Sequence, residues 1–253
     1  MKAPVIVLTE NLKMEPYASG LCYPRASDDE LKRRVEELRD HGVTAVEFVG
    51  AASVFNLPVL GKGFVGIVVI AHLGKQRAAL KIRRVDADRA GLEHEAQMLA
   101  KANSVQVGPK LISVSKNFLL MQLVDGHLLP NWLDGHKEKG QLCGVLNEVL
   151  EQCWRLDSIG LDHGELSKAP KHIIIDRQNK PFLVDFETAS INRKPANVTA
   201  VCQFLFTSRG RVAEAVAAAL GEVDRAEIIG ALKRYKNERK RENFDGVLQV
   251  CLA

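Results

Sequence analysis

Apolar and polar positions along this chain follow two rhythms, and the first gives way to the second near Asp125-Gly126. Ala45–Val49, Val54–Leu60, Val65–His72 and Arg77–Ile82 are short, rich in β-branched residues and punctuated by glycine. That texture predicts antiparallel strands, and Lys110–Ser115 and Asn117–Val124 predict two more. Helical spacing appears earlier, where Ser27 and Glu30 form a capping box and Leu31, Val35 and Leu38 share one face. This predicts a helix to about Asp40, closed by His41-Gly42. A second helix is expected over Asp88–Ala102, with Leu92, Ala96 and Leu99 on one face. Residues 1–26 hold short apolar pieces with Gly, Pro and Ser, and read as strand and loop.

Beyond Leu128 helices dominate, over about Leu129–Lys137 and Gln141–Ile159. Two short strands, His172–Asp176 and Pro181–Asp185, interrupt before further helix to about Asn243. Strands first and helices later imply an α+β chain in two lobes. The expected division is an accessory region at 1–50, a strand-rich lobe at 51–125 and a helical lobe at 126–253.

Composition narrows this little: 46% hydrophobic and 26% charged residues are ordinary for a globular chain. No apolar run approaches the ~20 residues that span a bilayer. The five-residue apolar stretch near the N-terminus is too short for a signal-peptide core, so a cytoplasmic location is expected. The five cysteines are scattered without a C-x-x-C pair, which favours reduced thiols over a disulfide framework. The net charge of +4 permits anionic partners without demanding nucleic acid. Basic residues do gather at Lys233–Lys236 and Arg239–Arg241.

Candidate chemistry begins at Gly61-Lys62-Gly63-Phe64-Val65-Gly66-Ile67-Val68, a G-x-G-x-x-G-x-V pattern. Glycines let backbone amides approach phosphate oxygens that a Cβ would hold off. A strand follows here, where a dinucleotide-binding turn would open a helix, so a glycine-rich hairpin is expected. A plain structural hairpin fits the same letters. Lys81, within Ala79-Leu80-Lys81-Ile82, lies between apolar neighbours. It is either a solvated edge-strand lysine or a buried one, which needs an anionic partner. Glu95 can supply the carboxylate, since it precedes the core residue Leu99 by four positions. Glu93 is read as solvated. Later, Asp185 closes a strand in Leu183-Val184-Asp185-Phe186-Glu187, as a hard oxygen ligand suited to Mg²⁺ or as a surface aspartate.

Taken together these segments resemble a protein kinase: the glycine-rich loop, the V-A-I-K strand at Lys81, and the strand and hinge Phe118–Gly126. The catalytic loop is matched by His163-Gly164-Glu165-Leu166-Ser167, and the metal-binding D-F-G by Asp185-Phe186-Glu187. The chain is most similar to the compact, atypical RIO-like kinases, and among them to the small archaeal predicted serine/threonine protein kinases. Those share the H-G-E-L-S loop followed by K-H, the D-F-E, and a segment like Asn197-Val198-Thr199. The resemblance implies a bilobal kinase-like fold with a reduced large lobe, ATP as ligand, and Mg²⁺, or Mn²⁺, as metal. It makes 51–125 the small lobe and 126–253 the large one. It implies that Gly61, Lys62, Gly63, Phe64, Gly66, Val68, Ala79 and Lys81 contact the nucleotide. Met121 would stand beside the adenine, and the backbone of Gln122, Leu123 and Val124 would bond its edge. Lys81, Glu95 and Glu165 would be the catalytic set, with Asp185 as metal ligand.

Three positions depart from that pattern. Glu165 replaces the catalytic aspartate, and misplacement by one carbon–carbon bond can cost ~100-fold in rate. His172 stands just before the Ile173–Ile175 strand, in a loop roughly two residues longer than usual with no metal-binding asparagine. It is read as a ligand suited to Mn²⁺ or as a hydrogen-bonded residue. Glu187 replaces a glycine and adds a carboxylate near the metal. No A-P-E segment follows, so the peptide-binding part of a full kinase is missing or replaced. The expected activity is phosphoryl transfer to protein serine or threonine, including the chain itself, with Thr188, Ser190 and Thr199 as acceptors to consider. The alternatives are an ATPase-type nucleotide switch, a pseudokinase, and an RNA or ribonucleoprotein module using Lys233–Arg241.

Overall fold

The computed structural model describes residues 4–135 and 138–252, an α+β chain that divides into two compact units. The first runs to Gln97 and takes in Lys110–Leu123; the second comprises Met98–Pro109 and the chain from Val124 onward.

The first unit begins with strand β1 (Val5–Leu8), a 3₁₀ turn (Thr9–Lys13), and helices α1 (Tyr17–Leu21) and α2 (Asp28–Asp40). Residues 9–21 are therefore helical turns where loop and strand were expected. Ser27 caps α2 by accepting from the Glu30 amide, and Gly42 leaves the helix at a φ of 73°. Strands follow: β2 (Ala45–Phe48), β3 (Ala52–Val54), β4 (Leu57–Val59), β5 (Gly61–Lys62), β6 (Gly66–Leu73) and β7 (Gln76–Arg83). Val54–Leu60 is thus not one strand. Val54 pairs with Leu57 across a two-residue turn, and Phe55 and Asn56 both take positive φ, as the hairpin twist requires. Helix α3 (Glu93–Asn103) starts later than Asp88. Strands β8 (Leu111–Val114) and β9 (Phe118–Gln122) complete the unit.

Its main sheet runs β1-β2-β6-β7-β9-β8, antiparallel throughout, with β5 added on β6. Residues 1–50, expected as an accessory region, contribute β1 and β2 to this sheet. Period-two alternation sorts its faces. Ile67, Val69, Leu80, Ile82, Phe118 and Leu120 join Leu21, Val35 and Leu38 of the helices in one core. On the opposite face Leu119 meets Leu92 and Ala96 beside α3. Lys81 pairs in register with Val68 and Leu119 on that second face.

Arg34 is fully buried on the core side of α2. Its guanidinium donates to Glu30 Oε1 at 2.7 Å, to the Leu21 and Arg83 carbonyls at 2.8 and 2.6 Å, and to Asn117 Oδ1 at 3.2 Å. A buried charge survives only with such a set of partners. Here the set ties α1, α2, β7 and the β8–β9 turn together.

The second unit holds an antiparallel sheet of β10 (Gly126–Leu128), β11 (Ile173–Asp176) and β12 (Pro181–Leu183). Helix α4 (Leu129–Leu133) ends short of the expected Lys137, and His136 and Lys137 lie outside the described residues. Helix α5 (Lys139–Ser158) buries Leu142, Val145, Leu146, Val149, Leu150, Cys153 and Leu156, a continuous stripe at helical spacing. Helices α6 (Asn197–Cys202), α7 (Arg211–Leu220), α8 (Arg225–Asn237) and α9 (Arg241–Leu252) follow, with a π-helical turn at Gln203–Thr207. No helix among the described residues is long and apolar enough to cross a membrane.

Candidate functional site

Two constellations carry the candidate chemistry, one in each unit. In the first, Lys81 Nζ lies 2.7 Å from Glu95 Oε2, and both side chains are buried. The spacing of α3 explains the choice of carboxylate. Glu95 lies on the buried side with Leu92, Ala96 and Leu99, while Glu93 is exposed. Burial of both charges makes this ion pair matter to the fold.

Residues 61–68 form a hairpin beside Lys81. Gly61 pairs with Val68 and Lys62 with Ile67, and the Gly63 amide donates to the Gly66 carbonyl at 2.8 Å. The three glycines are not equivalent. A Cβ on Gly66 would lie 2.7 Å from the Ile82 carbonyl and 3.1 Å from Lys81 Cγ, so the sheet itself excludes a side chain there. At Gly61 and Gly63 a Cβ would meet only ordinary contacts, at 3.8 and 3.5 Å. Phe64 at the tip is 93% exposed. Arg84 donates to the Gly63 carbonyl at 3.2 Å and pairs with Asp86 at 2.8 Å. Arg84 and Lys62 both lie over the Tyr23 ring, at 5.0 and 4.9 Å. Arg84 and Tyr23 thus brace the hairpin, a role no sequence pattern signals.

Ala79 and half-buried Met121 are paired neighbours on β7 and β9. The Gln122 amide already donates to the Lys110 carbonyl at 2.8 Å. That N–H is committed within the sheet, so a bond from Gln122 to a purine edge would fall to its carbonyl.

In the second unit, the loop at 161–165 and the turn after β12 are laced together. Asp162 and Ser190 exchange backbone hydrogen bonds at 2.9 and 2.8 Å. Thr188 Oγ1 donates to the His163 carbonyl at 3.1 Å. Gly164 has a φ of 92°, and a Cβ there would meet Arg193 Nη2 at 2.5 Å, so only glycine fits. His163 is wholly buried and donates from Nε2 to the Val184 carbonyl at 3.1 Å. Burial, with the His172 ring beside it, lowers its pKa to about 4, so the imidazole is neutral at physiological pH. Its ring packs on Phe186 at 5.0 Å. Phe186 in turn fills the space beside Gly108, where a Cβ would lie 2.9 Å from its ring.

On this base Glu165, His172 and Asp185 converge. Each offers a ligand atom within 4.8 Å of the others. His172 Nε2 lies 2.9 Å from Glu165 Oε2, and Nδ1 lies 4.0 Å from Asp185 Oδ2. A carboxylate only accepts, so Nε2 carries the proton of the first contact. In the neutral ring Nδ1 is then a lone pair, buried and without a hydrogen-bond partner among the described residues. Asp185 has a φ of 69°, a left-handed conformation that aspartate tolerates better than most residues. The donor set suits a divalent cation: imidazole nitrogen and carboxylate oxygen fit Mn²⁺ better than Mg²⁺. Glu187 is half-buried and offers a carboxylate oxygen within 4.8 Å of a ligand oxygen of Asp185, in a second possible group.

The late basic segment is not one continuous helix face. It breaks between α8 and α9, and much of its charge is used internally. Arg241 makes a double contact with Glu151 at 2.9 and 2.7 Å and stacks over Trp154, while Lys240 pairs with Glu238. Sequence reasoning also missed Asp157. Its buried carboxylate accepts from the Asn197 and Val198 amides, Asn197 Nδ2 and the Tyr235 hydroxyl, and burial raises its pKa.

No family model matches the chain. It is 28% identical over 96 residues to an uncharacterised protein of Methanocaldococcus jannaschii, a stretch covering 38% of this chain and 79% of that protein.

Proposed function

We propose that the chain is an ATP-dependent phosphotransferase of the atypical, RIO-like kinase kind, acting on protein serine or threonine in the cytoplasm. The observation that carries the reading is the buried Lys81–Glu95 pair at 2.7 Å beside the glycine hairpin. Lys81 would hold ATP phosphate oxygens while Glu95 fixes its ammonium. Gly61 and Gly63, whose side-chain positions the chain's own packing leaves open, fit close approach by an anionic ligand. Asp185 and His172 Nδ1 would hold a divalent cation, Mg²⁺ or Mn²⁺, which when bound neutralises phosphate charge. Glu165 has two oxygens. One accepts from His172, and the other can accept the proton of an acceptor hydroxyl. His172 therefore orients the base that the extra methylene would otherwise leave loose.

A second reading is a nucleotide switch that hydrolyses ATP slowly. The Glu165–His172 hydrogen bond favours it, because that bond competes with an acceptor hydroxyl for the carboxylate. The RNA-binding reading draws little support from a basic segment in which Arg241 is held by Glu151 and Lys240 by Glu238. The test is labelled ATP with Mg²⁺ or Mn²⁺, comparing wild type with Lys81→Ala, Glu165→Ala and Asp185→Ala. Label on protein, lost in all three variants, supports transfer. Phosphate released to water supports the switch. No binding, transfer or hydrolysis in the wild type would refute both.

A further inference from the structure

A cavity of about 230 Å³ in the second unit is lined by Lys194, Lys236 and Arg239, with Thr199, Tyr235 and Asp157 behind them. Lys194 and Lys236 are exposed, and no carboxylate pairs with any of the three cations among the described residues. This separates them from Lys240 and Arg241, whose charges are matched nearby. Asp157 is not an available counter-ion. It is 5% exposed, and four donors between 2.8 and 3.3 Å already surround its carboxylate. Arg239 is anchored by one N–H on the Pro195 carbonyl at 2.5 Å, which leaves other guanidinium donors uncommitted to that contact. Three cationic residues thus border one concave surface, an arrangement that can focus potential on an anion.

We propose that this cavity is a phosphate-binding site, taking a phosphate monoester group. The ligand chemistry follows from charge and size. A terminal phosphate carries about −1.5 to −2 charges and three acceptor oxygens, which three cations lining one recess can serve. The volume holds that group with some hydration, a water in the liquid occupying about 30 Å³. A phosphodiester of nucleic acid carries one charge and continues on both sides, so it fits an open groove better than this recess. The proposal does not depend on the nucleotide reading, since it uses none of the residues assigned there.

Isothermal titration calorimetry of the full chain with inorganic phosphate at low ionic strength tests it. The Lys81→Met, Glu95→Leu chain, whose apolar pair needs no counter-charge, serves as a control for binding elsewhere. Saturable binding is expected in both, weakened about tenfold or more by Lys236→Glu and by Lys194→Ala with Lys236→Ala, because charge-assisted hydrogen bonds are lost. These lysines are exposed, so the variants should melt with the wild type. Titration with phosphothreonine identifies the source. Tighter binding than inorganic phosphate means a phosphorylated side chain, and equal binding means free phosphate. The proposal is overturned by absence of saturable binding or by binding that Lys236→Glu leaves unchanged. Binding lost in the folded Lys81→Met, Glu95→Leu chain also overturns it.

Discussion

The His172 imidazole donates from Nε2 to Glu165 Oε2 at 2.9 Å, so the two positions that depart most from the common kinase pattern are partners. If His172 orients the carboxylate, its removal lowers turnover much as loss of the carboxylate does. We expect His172→Ala and Glu165→Gln each to reduce turnover by about 10–100-fold. The double variant should be little worse than either single one, since residues acting as a unit are non-additive. His172→Gln keeps an N–H donor and should recover part of the loss in kcat. Additive losses in a double-mutant cycle would refute the coupling.

Lys81 and Glu95 make a separate test of stability against function. Glu95→Ala removes the carboxylate 2.7 Å from a buried ammonium and should cost about 3–5 kcal/mol in urea unfolding. Replacing both, as Lys81→Met with Glu95→Leu, should restore much of that stability, because an apolar pair needs no counter-charge. The same double variant should not bind ATP. Wild-type ATP affinity in that protein would sink the assignment of Lys81.

His163 gives the fold an acid limb. Its folded pKa of about 4 lies below the ordinary histidine value of 6.5, so the unfolded chain binds the proton first on acidification. Stability from this group is complete above pH 6.5 and falls as the pH drops toward 4, by about 3 kcal/mol in all. Asp157 has the opposite sign. Burial raises its pKa, so its contribution is present at acid pH and lost as the pH rises from 3.8 through the folded value. Thermal melts of wild type and His163→Phe from pH 7.5 to 4.5 check this. The variant should be less stable at pH 7.5 and show a flatter slope below pH 6.5. An unchanged slope would mean that His163 is not the titrating group.

Arg34 holds the amino-terminal helices on the sheet. Arg34→Met preserves length and apolar packing but takes the guanidinium donors from the Leu21 and Arg83 carbonyls, while Asn117 Oδ1 keeps its bond from Arg83 Nε at 3.1 Å. We expect a loss of about 3 kcal/mol or more, read as a lower denaturation midpoint with little change in slope. Arg34→Lys should recover little of it, because an ammonium cannot reproduce the planar fork.

What could be read from the sequence was local. Ser27 and Glu30 lie three residues apart, and their capping contact formed as the spacing predicts. The short β-branched, glycine-punctuated runs that form β6 and β7, followed later by the helical run of α5, are also short-range features, and their order gave the α+β class. Phe55 misled because an aromatic residue at positive φ is rare, so nothing marked the β3–β4 turn. Arg34 could not be read at all: its partners lie 13, 49 and 83 residues away, and only the assembled fold makes a buried arginine tolerable. At the site, Glu165, His172 and Asp185 were each identifiable by type and order. The hydrogen bond that divides their roles was not, because it depends on how the loop between Glu165 and His172 folds back.

Asp157 sets a timetable for synthesis. Its carboxylate needs Asn197, 40 residues later, and Tyr235, 78 residues later, before its burial is satisfied. A ribosome adding about 5–20 residues per second takes roughly 4–16 s to cover the longer gap. Over that interval the nascent second unit holds an acid it cannot yet bury, and its closing contact waits for α8.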